Sequence, residues 1–212
     1  MRCVAALALA LAPLLFACGG SGSKPPADQT SGSRAPIVVR EDGVGPIDAS
    51  TTATESAIRA LFPGYDVKSD NTLGVPDVLV SGDGEVQLIV SGHESGAVMS
   101  VRVMSKRVTS EAGWRVGDKI TDASRFGVCE CMGDGLTCFA KQSHVGAVLD
   151  EDCMGKMEQA AMAGKPASSA YADIFAGDPA ALASLEGHTI RMLLWRSGTH
   201  EASDDPPPPP EE

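Results

Sequence analysis

Four cysteines in the second half of the chain are the side chains whose type and spacing could do chemistry. Cys129, Cys131, Cys138 and Cys153 follow the pattern C-x-C-x6-C-x14-C. Four cysteines can hold zinc, but this pattern lacks the paired C-x2-C knuckles of common zinc modules. An even number of cysteines indicates disulfides instead in an exported chain, and the amino terminus described below predicts export.

The pairing of these cysteines is only partly restricted by geometry. Four cysteines allow three pairings. A bond between Cys129 and Cys131 would close a strained ring around a single residue of one strand. The other two pairings remain open: Cys129–Cys138 with Cys131–Cys153, and Cys129–Cys153 with Cys131–Cys138.

Histidine and aspartate side chains supply the candidate catalytic groups. His144 follows Ser143, and Asp118 lies in the segment "GDKITD". A structural histidine is the alternative interpretation of His144, and Asp118 after Gly117 also fits a turn. The chain has no G-x-S-x-G elbow before a helix, no H-E-x-x-H pair and no glycine-rich phosphate loop with a lysine. We therefore expect no metal and no cofactor.

The amino terminus predicts a lipoprotein signal peptide. Residues 1–17 contain Arg2 and then an apolar run, which is shorter than the ~20 residues that span a bilayer. The run ends in Leu15-Phe16-Ala17-Cys18, which resembles the bacterial lipobox. In signals of this type the cysteine receives a diacylglycerol, the signal is removed and the new amino terminus is acylated, commonly with palmitate. An ordinary signal peptide with an incidental cysteine is the alternative.

Charge and the residue after Cys18 restrict location and partners. The formal net charge is −11, so a nucleic acid is not expected as a partner. The membrane is expected as a partner only through the lipid. Gly19, where some lipoproteins have Asp, favours the outer membrane, with the domain facing the periplasm. An envelope protein or the cell wall would then be the other partner.

The chain divides into four parts by composition. Residues 1–17 are the signal peptide, and residues 18–35 form a lipid-anchored linker rich in Gly, Ser and Pro. Residues 36–198 hold nearly all apolar residues of the mature chain and form one domain. Residues 199–212 end in "DDPPPPPEE" and are predicted to be a disordered tail.

Periodicity within residues 36–198 predicts an α+β fold built on an antiparallel sheet. Strands are expected at 36–41, 97–104, 144–150 and 188–196, and hairpins turn at Ser81-Gly82-Asp83-Gly84 and at Gly133-Asp134-Gly135. One N-terminal helix is expected with Thr52 and Glu55 as a capping box. Further helices are expected near 152–163 and 179–185.

Several short motifs, in order, resemble the RpoE-regulated lipoprotein family, a bacterial envelope domain of unknown function. They are "GVGPIDAST" (43–51), "PGYDVKS" (63–69), "GWRVGDKITD" (113–122), "FGVC" (126–129), "SH" (143–144) and "LLWR" (193–196). The resemblance covers roughly residues 38–196. It implies a single α+β domain and an envelope-stress regulon, and it carries no known catalytic residue.

The resemblance also implies a disulfide pairing. Family members have cysteines at the positions of Cys129 and Cys138, so these two would form the shared bridge. Cys131 and Cys153 would then be an additional pair in this chain. The chain departs from the family by an insert at about 152–187 and by the tail beyond Arg196.

Two classes of function follow from the sequence. The first is a lipid-anchored binding or structural module of the envelope, without catalysis. The second is a small envelope enzyme with an unrecognised site near His144 and Asp118. A polar pocket that joins these two residues would favour the enzyme.

Overall fold

The structure, a computed structural model, describes residues 36–71, 76–133 and 135–198. The predicted signal peptide (1–17), the lipidation site Cys18, the linker (18–35) and the tail (199–212) lie outside the described residues.

The described chain forms strands and short helices. The strands are β1 (Val38–Arg40), β2 (Gly43–Val44), β3 (Ile47–Asp48), β4 (Asp66–Asp70), β5 (Asp77–Gly82), β6 (Glu85–Gly92), β7 (Val98–Val103), β8 (Thr109–Ser110), β9 (Phe126–Met132), β10 (Gly135–Ala140), β11 (Val145–Leu149) and β12 (Ile190–Arg196). The helices are α1 (Glu55–Leu61), α2 (Cys153–Met162), α3 (Ala172–Phe175) and α4 (Pro179–Ala183), with 3₁₀ turns at Ala123–Arg125 and Ala167–Ala170.

One large antiparallel sheet dominates the fold. Its strand order is β4-β5-β6-β7-β12-β11-β10-β9. Two hairpin series, β4 to β7 and β9 to β11, form the two halves, and β12 pairs with β7 on one side and β11 on the other. The last strand of the described residues, β12, therefore closes the centre of the sheet, so the sheet is complete only after β12 has been made.

The core lies on one face of this sheet. A row of cross-strand neighbours contributes side chains that are all buried. The row consists of Val67, Val80, Leu88, Val103, Leu193, Ala147, Cys138 and Cys129. Because side chains alternate between the faces of a strand, this row fixes the register of seven strand pairs at once.

Three groups of elements supply buried side chains to the same core. The first is a small sheet of order β3-β2-β1-β8, in which β1 and β8 are parallel and the other pairs antiparallel. The second is α1, which contacts β4 and buries Ile58. The third is the segment 152–187, called the insert below after the sequence prediction, which buries Tyr171, Ile174, Leu182 and Leu185.

The α+β prediction and both predicted hairpins are confirmed. At the first hairpin Asp83 and Gly84 have φ values of 55° and 81°, which is the left-handed geometry of a type I′ turn. The second hairpin joins β9 to β10. In both cases the turn residues and the flanking apolar alternation lie next to each other in the chain, so local sequence was sufficient.

The predicted capping box at Thr52 is wrong. The N-cap of α1 is Thr54, whose hydroxyl accepts the Ala57 N–H at 3.4 Å. Thr52 instead forms an isolated bridge with Ala97. Glu55 accepts the Ser69 N–H at 2.9 Å, so its carboxylate joins the helix to β4 rather than closing a box.

Candidate functional site

Glu41, in the turn between β1 and β2, is the acceptor that holds His144 and Ser143 in place. The Ser143 hydroxyl donates to Glu41 Oε2 at 2.5 Å, and the His144 backbone N–H donates to Oε1 at 2.7 Å. The Glu41 carbonyl oxygen accepts the indole N–H of Trp195 at 3.0 Å. One residue therefore ties the β1–β2 turn to the start of β11 and to β12.

This arrangement does not form a nucleophile and base pair. Ser143 Oγ donates to Glu41 and accepts the Val145 N–H at 3.0 Å, so its proton is not directed at a histidine. The imidazole Nδ1 of His144 lies 2.9 Å from the carbonyl oxygen of Gly198. The geometry matches the structural interpretation of His144, in which the residue pins two chain segments together.

Asp118 lies elsewhere, in a cavity of about 380 Å³. The cavity is lined by Gly113, Trp114, Asp118, Lys119, Ile120, Thr121, Asp122 and Arg125. His144 is not part of this lining, so the structure does not bring the two candidate catalytic residues into one pocket. The lining falls within and just after the motif "GWRVGDKITD".

Aromatic and charged groups make the cavity wall. The Arg125 guanidinium lies 5.3 Å from the centre of the Trp114 ring and donates to the Ala112 carbonyl oxygen at 2.6 Å. Asp122 caps the 3₁₀ turn by accepting the Ser124 N–H at 3.1 Å. The Ser124 hydroxyl also donates to this carboxylate, and that bond holds the pKa of Asp122 below its usual range.

Both pairs of cysteines are disulfide-bonded in the structure. Cys129 on β9 bonds Cys138 on β10, and the two residues are direct cross-strand neighbours. Cys131 bonds Cys153, the first residue of α2. This is the pairing that the family resemblance implied. The second bond links the insert covalently to the large sheet.

A polar network that sequence reasoning missed joins the end of β11 to the insert and to β12. His188 Nδ1 lies 3.0 Å from Asp150 Oδ1, and its Nε2 lies 3.6 Å from Glu151 Oε2. Glu151 also accepts from Lys156 and, at 2.5 Å, from the Tyr171 hydroxyl. The third acidic residue of this stretch, Asp152, is the N-cap of α2.

The network shifts the pKa of its members in opposite directions. Burial raises the pKa of Glu151, but hydrogen bonds from Lys156 and Tyr171 outweigh it and hold the pKa below its usual value of 4.5. Burial first, and then the hydrogen bond to Glu151, raise the pKa of Tyr171 well above 10.0. The Tyr171 hydroxyl therefore remains a donor at neutral pH.

Neither a metal centre nor a membrane span is found in the part of the chain that the structure describes. Among residues 36–71, 76–133 and 135–198, no three His, Cys, Asp or Glu side chains are placed to hold a metal ion. Over the same residues, the helices are too short or too polar to cross a bilayer.

Comparison with known proteins places the chain in a family without an assigned activity. The model of the family "Protein of unknown function (DUF1131)" matches residues 29–155, more than half of the chain, and the chain belongs to that family. A solved structure that the chain resembles is the uncharacterized protein yfeY from Escherichia coli. The two share 19% identity over 74% of this chain and 98% of that one, with a TM-score of 0.49. No curated protein matches the chain.

Proposed function

We propose that the protein is a lipid-anchored module of the bacterial cell envelope that binds a partner in the periplasm and catalyses no reaction. The anchor is Cys18, at the end of the Leu15-Phe16-Ala17-Cys18 lipobox. Several acyl chains would hold the protein in the membrane far more firmly than the single chain of a myristoyl group. The linker 18–35 would let the acidic domain stand away from the lipid surface.

The position of the two candidate catalytic residues carries the choice of binding over catalysis. His144 is held at Gly198 and Glu41, while Asp118 lines a separate cavity. A general base must reach the proton that it abstracts, and a nucleophile must reach its base. Because His144 does not line the cavity of Asp118, the two side chains do not form such a pair. The two disulfides support an oxidising compartment, since such bonds persist mainly outside the cytosol.

Replacement of Cys18 tests the anchor. In the native bacterium, or in a bacterial host that processes lipoproteins, the parent chain should incorporate radiolabelled palmitate and sediment with membranes. Cys18→Ala should lose the label and leave the membrane pellet. Cys3→Ala is the matched control, because Cys3 lies in the signal peptide, and it should behave like the parent. A Cys18→Ala protein that stays wholly in the membrane pellet would contradict the proposal.

The outer-membrane assignment has its own test. Gly19 follows Cys18, and we propose that this residue permits transport to the outer membrane. Gly19→Asp should move the protein to the inner-membrane fraction of a density gradient, with Gly19→Ser as the control that stays. Equal distribution of the two variants would contradict the sorting role of Gly19.

A further inference from the structure

The cavity that Asp118 lines contains a short edge of extended backbone. Three backbone hydrogen bonds of 2.8 Å join residues 118–120 to residues 187–190. Lys119 and Thr189 are antiparallel bridge partners at the centre of this pairing. The segment 118–121, called the edge segment below, thus behaves as a small strand with one side already paired.

The other side of the edge segment has no backbone partner. In an extended strand, the N–H and C=O of one residue point to the same side of the strand, and those of the next residue point to the opposite side. The Lys119 N–H and C=O and the Thr121 N–H therefore point away from residues 187–190. None of these three groups has a hydrogen-bond partner among the residues that the structure describes. An unpaired strand edge is a template for the addition of another strand.

The side chains around the edge offer both signs of charge. Asp118 and Lys119 form no ion pair or hydrogen bond through their side chains within the described part of the chain. Among the residues that the structure describes, the Arg125 guanidinium makes one hydrogen bond, to the Ala112 carbonyl, which leaves other N–H donors of its fork for a ligand. The Trp114 ring supplies an apolar wall beside these charges. A ligand with a main chain, an ammonium group and a carboxylate matches this lining.

We propose that the cavity binds a short peptide in extended conformation, added to the edge segment as a further strand. The peptide main chain pairs with Lys119 and Thr121, its carboxylate lies at Lys119 and Arg125, and its ammonium group lies at Asp118. A cavity of 380 Å³ is at the small end of ligand sites, so the peptide is a few residues long. The inference deepens the proposed function, on which it rests, by naming the class of partner.

Titration with tetra-alanine carrying free termini tests the proposal. Four extended residues span about 13 Å, which matches the edge segment. The full-length protein in non-ionic detergent, labelled with ¹⁵N, should show saturable amide shifts centred on Lys119 and Thr121. Absence of saturable shifts, or shifts centred elsewhere, would overturn the proposal.

Two altered peptides separate main-chain pairing from charge. A tetra-alanine methylated at its backbone nitrogens lacks the donors of a paired strand. Its dissociation constant should rise about two- to tenfold for each hydrogen bond lost. A peptide with an acetylated amino end and an amidated carboxyl end should also bind more weakly. Equal binding of the methylated peptide would refute strand addition, and equal binding of the capped peptide would refute the charged contacts.

Two substitutions at one position make the matched comparison in the protein. Lys119→Pro removes the free N–H, whereas Lys119→Ala keeps the N–H and removes the ammonium group. The Lys119→Pro variant should lose main-chain recognition of both the free and the capped peptide. Lys119→Ala should weaken only the free peptide. The same response of the two variants would contradict the proposed geometry. Peptide binding does not depend on the lipid anchor, so a failure of Cys18 lipidation would leave this binding unchanged.

Discussion

Removal of the disulfide between the insert and the large sheet should lower stability by an amount set by chain entropy. Cys131 and Cys153 are separated by 22 residues, and closing a loop of that size stabilises the fold by about 3 kcal/mol. Cys129 and Cys138 are separated by 9 residues, which corresponds to about 2.5 kcal/mol. For a domain of this size, each kcal/mol corresponds to about 2–4 °C in Tm.

The double substitution Cys131→Ala/Cys153→Ala isolates this effect. Alanine avoids placing a new hydroxyl at Cys153, which is fully buried. Urea unfolding without reductant should then show a loss of about 3 kcal/mol, with a Tm lower by about 6–12 °C. The Cys129→Ala/Cys138→Ala variant is the control and should lose slightly less.

The insert should remain docked in the first double variant. Its buried side chains, among them Tyr171, Ile174 and Leu182, contribute apolar burial that does not depend on the disulfide. Hydrogen exchange of α2 to α4 should therefore stay cooperative with the sheet. A loss below 1 kcal/mol would refute the loop-closure reasoning. Separate early unfolding of the insert would show that the bond, and not the core, holds it.

Two further predictions concern pH, and one concerns the tail. Because the pKa of Glu151 is lower in the folded state, its stabilisation is complete well above pH 4.5 and is lost as pH falls through the folded value. Urea unfolding at a series of pH values should show that Glu151→Gln loses less unfolding free energy on acidification than the parent protein does. The raised pKa of Tyr171 gives stabilisation that is complete below about pH 10 and lost at higher pH. The stability of Tyr171→Phe should therefore fall less steeply with pH in the alkaline range than that of the parent protein. Deletion of residues 199–212, which have one aliphatic side chain, should leave Tm within about 2 °C. A drop of more than about 5 °C would place the domain boundary further toward the carboxyl end.

The parts of the fold that were predictable have local causes. Alternating apolar residues and the Asp83-Gly84 turn specify the β5–β6 hairpin within one stretch of chain. The two-residue strands β2 and β3 have no periodicity to detect, and the parallel pairing of β1 with β8 joins residues 38–39 to 109–110. Contacts that are distant in sequence, such as the Trp195 indole with the Glu41 carbonyl, decide where these strands lie.

The candidate site was predictable in its residue types and not in its arrangement. His144 and Asp118 stand out in the sequence because their side chains can move protons, but residue type alone does not place them in one pocket. Their separation follows from two pairings that no local pattern contains: Glu41 with the start of β11, and residues 118–120 with residues 187–190. The second pairing leaves one side of the edge segment unpaired beside Trp114. A feature made of main-chain groups has no sequence signature, because every residue except proline carries the same N–H and C=O. Only the register of the edge segment against residues 187–190, across about seventy residues of chain, reveals it.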